Sequence, residues 1–156
     1  MTAQEFICQC NIVSMEGIIK QAKKMPEDKL TWEPMGEGRT ALDQVAECAL
    51  ICGFIPDVLA KREMPNIDEA AMAEFEKSKQ AYKNLADVEA DLRSGTEKLN
   101  ETIMNMTNDE LDIKIPFFGG EEWSLASIAN LHGWNMQYHT GQICYIQTLY
   151  GDKDMN

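Results

Sequence analysis

Leu125, Ile128, His132, Asn135, His139, Gln142, Ile146 and Leu149 recur at spacings of three and four, and so share one face of a helix. The two ends of this stripe are apolar, whereas its middle turns carry two imidazoles and two amides. A face turned to a bundle core is ordinarily apolar throughout, and burying an unpaired amide or imidazole costs on the order of 1 to 3 kcal/mol. The patch therefore needs partners: other side chains, a metal ion, water or an organic ligand. His132 and His139 are the only histidines of the chain.

Other chemistry-bearing residues are less suggestive. Cys48 and Cys52 share a face at a spacing of four, which suits a soft metal site with a histidine but more often marks small buried apolar residues. Cys8 and Cys10 project apart on a helix, so no Cys-x-x-Cys chemistry arises, and Cys144 reads as packing. The pair Gly119-Gly120 has neither a strand before it nor a basic residue after it, so a phosphate loop is not supported. No serine sits in a recognisable nucleophile setting with a histidine. Trp32, Trp123, Trp134, Tyr138 and Tyr145 suit a pocket mouth, the core or a dimer contact.

Four core helices must position these groups. Phe6, Cys10, Val13 and Gly17 give the first, over Thr2 to Met25, an apolar face, and Pro26 ends it. After a turn-rich stretch with Trp32, Pro34, Gly36 and Gly38, Thr40 caps the second, with Asp43 three residues on. It continues through Val45, Cys48, Ala49 and Cys52, and Pro56 is expected to kink or end it. Asn66 to Leu85, rich in Ala, Glu and Lys, predicts a more exposed helical segment.

Asp87 is the expected cap of the next helix, where Val88, Leu92, Leu99, Ile103 and Met106 keep a helical register; the two pieces can be continuous. Gly95 within that register costs about 1 kcal/mol against alanine, which points to close packing there. A connection from Thr107 to Trp123 precedes the last helix, capped by Ser124 and stopping near Gly151. No segment alternates like a strand. Connections of about a dozen residues are long for adjacent antiparallel helices, so neighbour order in the bundle need not follow sequence order.

The 156 residues fit one domain spanning 1–156, with 44% hydrophobic and 26% charged residues, a globular composition. A formal charge of -12 without a basic stripe argues against nucleic acid as a partner. The N-terminus lacks a secretory pattern, and the most apolar stretch, Val45 to Ala60, is interrupted by Glu47, Pro56 and Asp57, so no membrane span is expected. Five cysteines in a chain without a signal suggest a reducing cytoplasm.

The run from Ser127 to Ile143, with Asn135, His139, Gly141 and Gln142, followed by Leu149, Tyr150 and Gly151, resembles the closing helix of the DinB-like family. A second block, Leu30 to Pro34 with Trp32, then Arg39 to Glu47, is similar to that family's Trp-x-Pro turn and capped second helix. The resemblance implies an all-α fold: a four-helix bundle of DinB/YfiT-like type with long inter-helix connections and an extra helical segment before the third core helix. It also implies a frequent dimer and a divalent metal, zinc or nickel, held by three histidines. Carried over by position, those ligands fall on Glu47, Asn135 and His139, of which only the last is histidine.

Glu47 offers an anionic oxygen, His139 a neutral nitrogen and Asn135 a carbonyl oxygen; His132, two turns before His139, is placed to move a proton. The competing reading satisfies the same groups without an ion. Glu47 accepts a hydrogen bond from His139 or His132, and Asn135 and Gln142 close the network. A third reading puts an organic ligand in the pocket. Two functions follow: a metal-dependent enzyme, hydrolase-like or thiol-transferase-like, implied by the resemblance, or a non-catalytic, dimeric binding protein that has lost the triad. Any homodimer contact is expected on the first and last helices.

Overall fold

The computed structural model describes residues 1–154. Its elements in order are α1 (Ala3–Lys24), α2 (Glu27–Leu30), α3 (Ala41–Lys61), α4 (Glu69–Ala81), α5 (Leu85–Met104), α6 (Asn108–Leu111), β1 (Lys114–Pro116), β2 (Glu122–Ser124) and α7 (Leu125–Leu149). The long helices start where local chemistry starts them. Thr2 and Glu5 form a reciprocal capping box on α1, Thr40 Oγ1 accepts from the Asp43 amide, and Ser124 Oγ accepts from the Ser127 amide.

Four helices form the bundle: α1, α3, α5 and α7. Helix α1 packs against α5 and α7, and α3 packs against the same two. Helices consecutive in sequence, α1 with α3 and α5 with α7, are therefore diagonal. The contacts also fix direction. Asn11 lies against Gly133, Gln137 Nε2 donates to Ser14 Oγ, and Gln147 Nε2 donates to the Gln21 carbonyl, so α1 and α7 run parallel. Gln44 and Glu47 meet His139 while Cys48 meets Asn135, so α3 and α7 are antiparallel. Lys23 pairs with Glu89 and Asn11 with Asn100, so α1 and α5 are antiparallel, which leaves α3 and α5 parallel. A parallel pair needs a return path, and the extra helix α4 lies in it.

Several expectations change in detail. Pro56 does not end α3, which runs five residues further and stops at Arg62 in the left-handed region, φ 56°, with its N–H on the Val58 carbonyl. The break between α4 and α5 falls at Tyr82 to Asn84, so the two pieces are separate. Asn84, not Asp87, is the cap; its side chain accepts from the Asp87 amide. The connection before α7 contains an antiparallel pair, Ile115 opposite Trp123, where no strand was expected. Three residues per strand are too few to show an alternation. Phe117 stacks on Trp123 at 4.0 Å between centroids, and Ile115 is buried.

The core is built from Ile18, Ile19, Val45, Ile55, Leu92, Leu99, Ile128, Met136 and Ile143, all essentially inaccessible. The five cysteines are free, and Cys48 and Cys52 are buried packing residues. Gly95 is where α3 and α5 approach closely: a β-carbon there would lie 2.3 Å from Cys52 Sγ. No helix among the described residues is long and apolar enough to cross a membrane.

Candidate functional site

Helix α3 supplies one wall of the site from its first two turns. Thr40 fixes the entry of the chain, which leaves Arg39 just outside the helix, free to run back along it. The guanidinium Nε lies 2.6 Å from Asp43 Oδ2 and its Nη2 lies 2.7 Å from Glu47 Oε2. Positions 39, 43 and 47 are one turn apart each, so a single fork spans both carboxylates.

Helix α7 supplies the other wall. His139 is buried, with Nε2 2.9 Å from Glu47 Oε1, and with Nδ1 2.8 Å from Gln142 Oε1 and 3.2 Å from Gln44 Oε1. A carboxylate oxygen can only accept, so Nε2–H donates to Glu47, and Nδ1 faces the two glutamine side chains. Gln44 is held in turn by donating Nε2 to the Arg39 carbonyl at 3.3 Å.

Burial pushes the Glu47 carboxyl up, but the hydrogen bond from His139 and the Arg39 guanidinium outweigh that and hold it at about 2. The carboxylate is thus ionised at neutral pH. Burial, with the Glu47 charge adding to it, pushes the neighbouring Cys48 thiol well above its ordinary range, so this thiol is no nucleophile. Asn135 Nδ2 donates weakly to Cys48 Sγ at 3.5 Å.

Of the residues named from the sequence, Glu47 and His139 meet directly, and Asn135 lies one turn away against Cys48. His132 is elsewhere. It points across the bundle to α5, with Nε2 2.8 Å from Thr96 Oγ1, and its Nδ1 has no partner. Shared helical phase did not mean a shared neighbour. Arg39, Gln44 and Lys79 were not read as site residues. The repeat of opposite charges at 39, 43 and 47 was a legible signal; Lys79, on α4, gave none.

Above the Glu47–His139 pair opens a cleft of about 700 Å³, whose lining includes Arg39, Gln44, Tyr138, Gln142, Tyr145 and Leu149. Met35 stands on its lip, 92% exposed and held at φ 59°, a left-handed conformation unusual for a residue with a side chain.

Among the described residues no group of three or more His, Cys, Asp or Glu is placed to hold an ion. Around the Glu47–His139 pair no buried side-chain nitrogen or oxygen lacks a partner. One imidazole, one amide and a carboxylate already shared with a guanidinium do not fit a three-histidine centre.

The family model described as DinB superfamily matches residues 18–143, a span that holds Arg39, Glu47, Asn135 and His139. The chain belongs to the DinB superfamily. Its fold is shared with YfiT from Bacillus subtilis, described as a "probable metal-dependent hydrolase with an unusual four-helix bundle topology". That match has 16% identity and a TM-score of 0.77, and covers 95% of this chain and 87% of that one. The mycothiol-dependent maleylpyruvate isomerase matches with 12% identity and a TM-score of 0.69 over 90% of this chain, which spans 60% of the isomerase. A DinB-like protein of Bacillus subtilis, YjoA, matches with 16% identity and a TM-score of 0.65, covering 96% and 95% of the two chains. Among curated proteins none matches this sequence. At these identities the structures establish the DinB-type bundle.

Proposed function

We propose that this chain is a small-molecule-binding member of the DinB superfamily, with the cleft over the Glu47–His139 pair as its ligand site. One observation carries this reading. A largely apolar cleft is lined by a few polar groups, Gln44, Gln142 and Arg39, with the Glu37 carboxylate beside them, as ligand sites are. The ligand class is a small, largely apolar molecule with an amide or hydroxyl to meet the glutamines. Arg39 is committed to two carboxylates and adds no spare charge.

A panel of small uncharged aromatic amides, followed by amide-resolved NMR, is expected to shift Tyr138, Gln142 and Tyr145 first. Gln142→Leu should weaken the best binder about tenfold, the worth of one lost hydrogen bond. Ligands that bind with no response at these residues would place the site elsewhere.

The second reading is the metal-dependent enzyme; the description of YfiT as a probable metal-dependent hydrolase favours it, and that of the isomerase as mycothiol-dependent favours thiol chemistry. It would require Glu47, Asn135 and His139 to hold zinc or nickel, which would polarise a bound water or thiol toward hydrolase-like or thiol-transferase-like chemistry. Elemental analysis of protein purified without added metal, with zinc and nickel calorimetry, separates the readings. Stoichiometric metal that disappears in His139→Ala establishes the enzyme-like one.

A second copy of the chain is the proposed partner, in the cytoplasm. The outward face of α1 carries Phe6, Cys10, Val13 and Gly17, and the parallel α7 beside it carries Trp134, Tyr138, Gly141 and Tyr145, the last three also lining the cleft, so that a second copy would close over the ligand site. None of the eight is charged, on a chain of net charge -12. The four rings are each more than half exposed and offer roughly 400 Å², about half of what each partner buries in a standard interface. Both glycines face open space, which permits close approach of the helices. Light scattering is expected to give twice the chain mass, and Trp134→Glu with Gly141→Glu should give the monomer. A wild type that stays monomeric at high concentration removes the dimer.

A further inference from the structure

The helix α4 is exposed for most of its length, with Phe75 and Ser78 half-buried, and its one buried residue is a lysine. Lys79 is 7% exposed, with Nζ 3.1 Å from Asp43 Oδ1 and 2.9 Å from Glu76 Oε2. A side chain this seldom buried is retained in such a place when its charge is paired. Asp43 is shared: its other oxygen takes Arg39 Nε at 2.6 Å. The guanidinium passes on to Glu47, and Glu47 to His139. A chain of five groups thus runs from α4 to α7, Lys79, Asp43, Arg39, Glu47 and His139, the first four of alternating sign, joined at 3.1, 2.6, 2.7 and 2.9 Å.

We propose that the Arg39 guanidinium, fixed by Asp43 and through it by Lys79, is the resident cation of this centre and keeps a divalent ion off Glu47 and His139. Each oxygen of Glu47 already has a donor, the Arg39 guanidinium Nη2 on one and the His139 ring Nε2 on the other. A metal entering at Glu47 would face a guanidinium that cannot deprotonate and that two carboxylates hold in place. It would also displace the ring proton that meets the carboxylate. The inference shares the site of the function proposed above but is independent of which molecule the cleft takes.

The test titrates cobalt(II), zinc and nickel into four proteins, following heat and the visible cobalt absorption, which reports coordination directly. Wild type is expected to take no ion at micromolar concentration. Arg39→Met, with the guanidinium gone and the stem kept, is expected to bind at least tenfold more tightly than wild type, and to lose that gain when His139→Ala is added. Arg39→Lys keeps a positive charge and should resemble wild type. Lys79→Met releases one tether of Asp43 and should move affinity in the same direction as Arg39→Met by a smaller factor. Arg39 is 42% exposed at the start of a helix, so its variants are expected to fold; circular dichroism checks this, and the cobalt spectrum reads the site in any folded variant.

If Arg39→Met folds and binds no better than wild type, the guanidinium is not what excludes the ion and the proposal falls, while the ligand-binding reading stands. If wild type itself carries stoichiometric metal on His139, both fall together.

Discussion

Replacing His132 by leucine is expected to leave the protein folded at neutral pH and to remove much of its sensitivity to mild acid. The ring of His132 is fully buried. The Thr96 hydroxyl donates its proton to the Leu92 carbonyl at 2.7 Å, so it can only accept from His132, and Nε2 carries the ring proton. Nδ1 is left with a bare lone pair and no donor. Burial pushes the imidazole from the ordinary 6.5 down to about 4.

The folded value lies below the unfolded one, so stability is fully present above 6.5 and is lost as pH falls through about 4. The difference makes wild type roughly 2.5 kcal/mol less stable at pH 4.5 than at pH 7 through this group alone. Glu47 loses its share lower, between 4.5 and about 2, and does so in both proteins. Urea unfolding at the two pH values reads the effect. His132→Leu should show little of that fall, and its stability at pH 7 should be close to wild type, since an unpaired polar atom leaves the core along with one hydrogen bond. Parallel losses in the two proteins would mean that His132 is not the group that titrates.

Gly95 and Cys52 are expected to give a substitution whose sign depends on its partner. Alanine is favoured over glycine in a helix interior by about 1 kcal/mol, yet a β-carbon at position 95 meets Cys52 Sγ at 2.3 Å. The thiol is buried and donates to the Ala49 carbonyl at 3.0 Å, so it has little room to turn aside. Overpacking of this kind costs about 1 to 3 kcal/mol, and Gly95→Ala should therefore destabilise wild type.

In a Cys52→Ala background the nearest remaining side-chain atom is the β-carbon at 3.6 Å, ordinary contact. There Gly95→Ala should stabilise by about 1 kcal/mol, because the new methyl also fills part of the space the sulfur leaves. A four-corner cycle of thermal or urea unfolding measures the coupling, expected at roughly 1 to 3 kcal/mol because the propensity gain cancels between backgrounds. The same sign for Gly95→Ala in both backgrounds would refute the account.

These sites also mark how far the sequence reaches. Thr2, Thr40 and Ser124 announce helix starts because a cap is a local contact, and the register of Val88, Leu92 and Leu99 marks a buried face for the same reason. The partners of that face are not local. His132 and His139 share a phase on α7, and nothing in their spacing says that one meets α5 and the other α3. Glu47 could be set against His139 only through the family resemblance. Arg39 and Lys79 were missed because charges near helix ends are usually solvated; the spacing of 39, 43 and 47 carries the pairing of Arg39, while only the packing of α4 on α3 makes that of Lys79 visible. The short pair around Ile115 and Trp123 has too few residues for a pattern.

The parallel alignment of α1 with α7 bears on how the chain comes off the ribosome. One of the two helices that flank α1 is encoded more than a hundred residues later, so part of its apolar surface stays uncovered through most of synthesis. Such distant pairings slow folding and prolong exposure to wrong associations. A polypeptide released just before Leu125 would lack both His139 and the cover over α1, and it should be a substrate for chaperones rather than a working fragment.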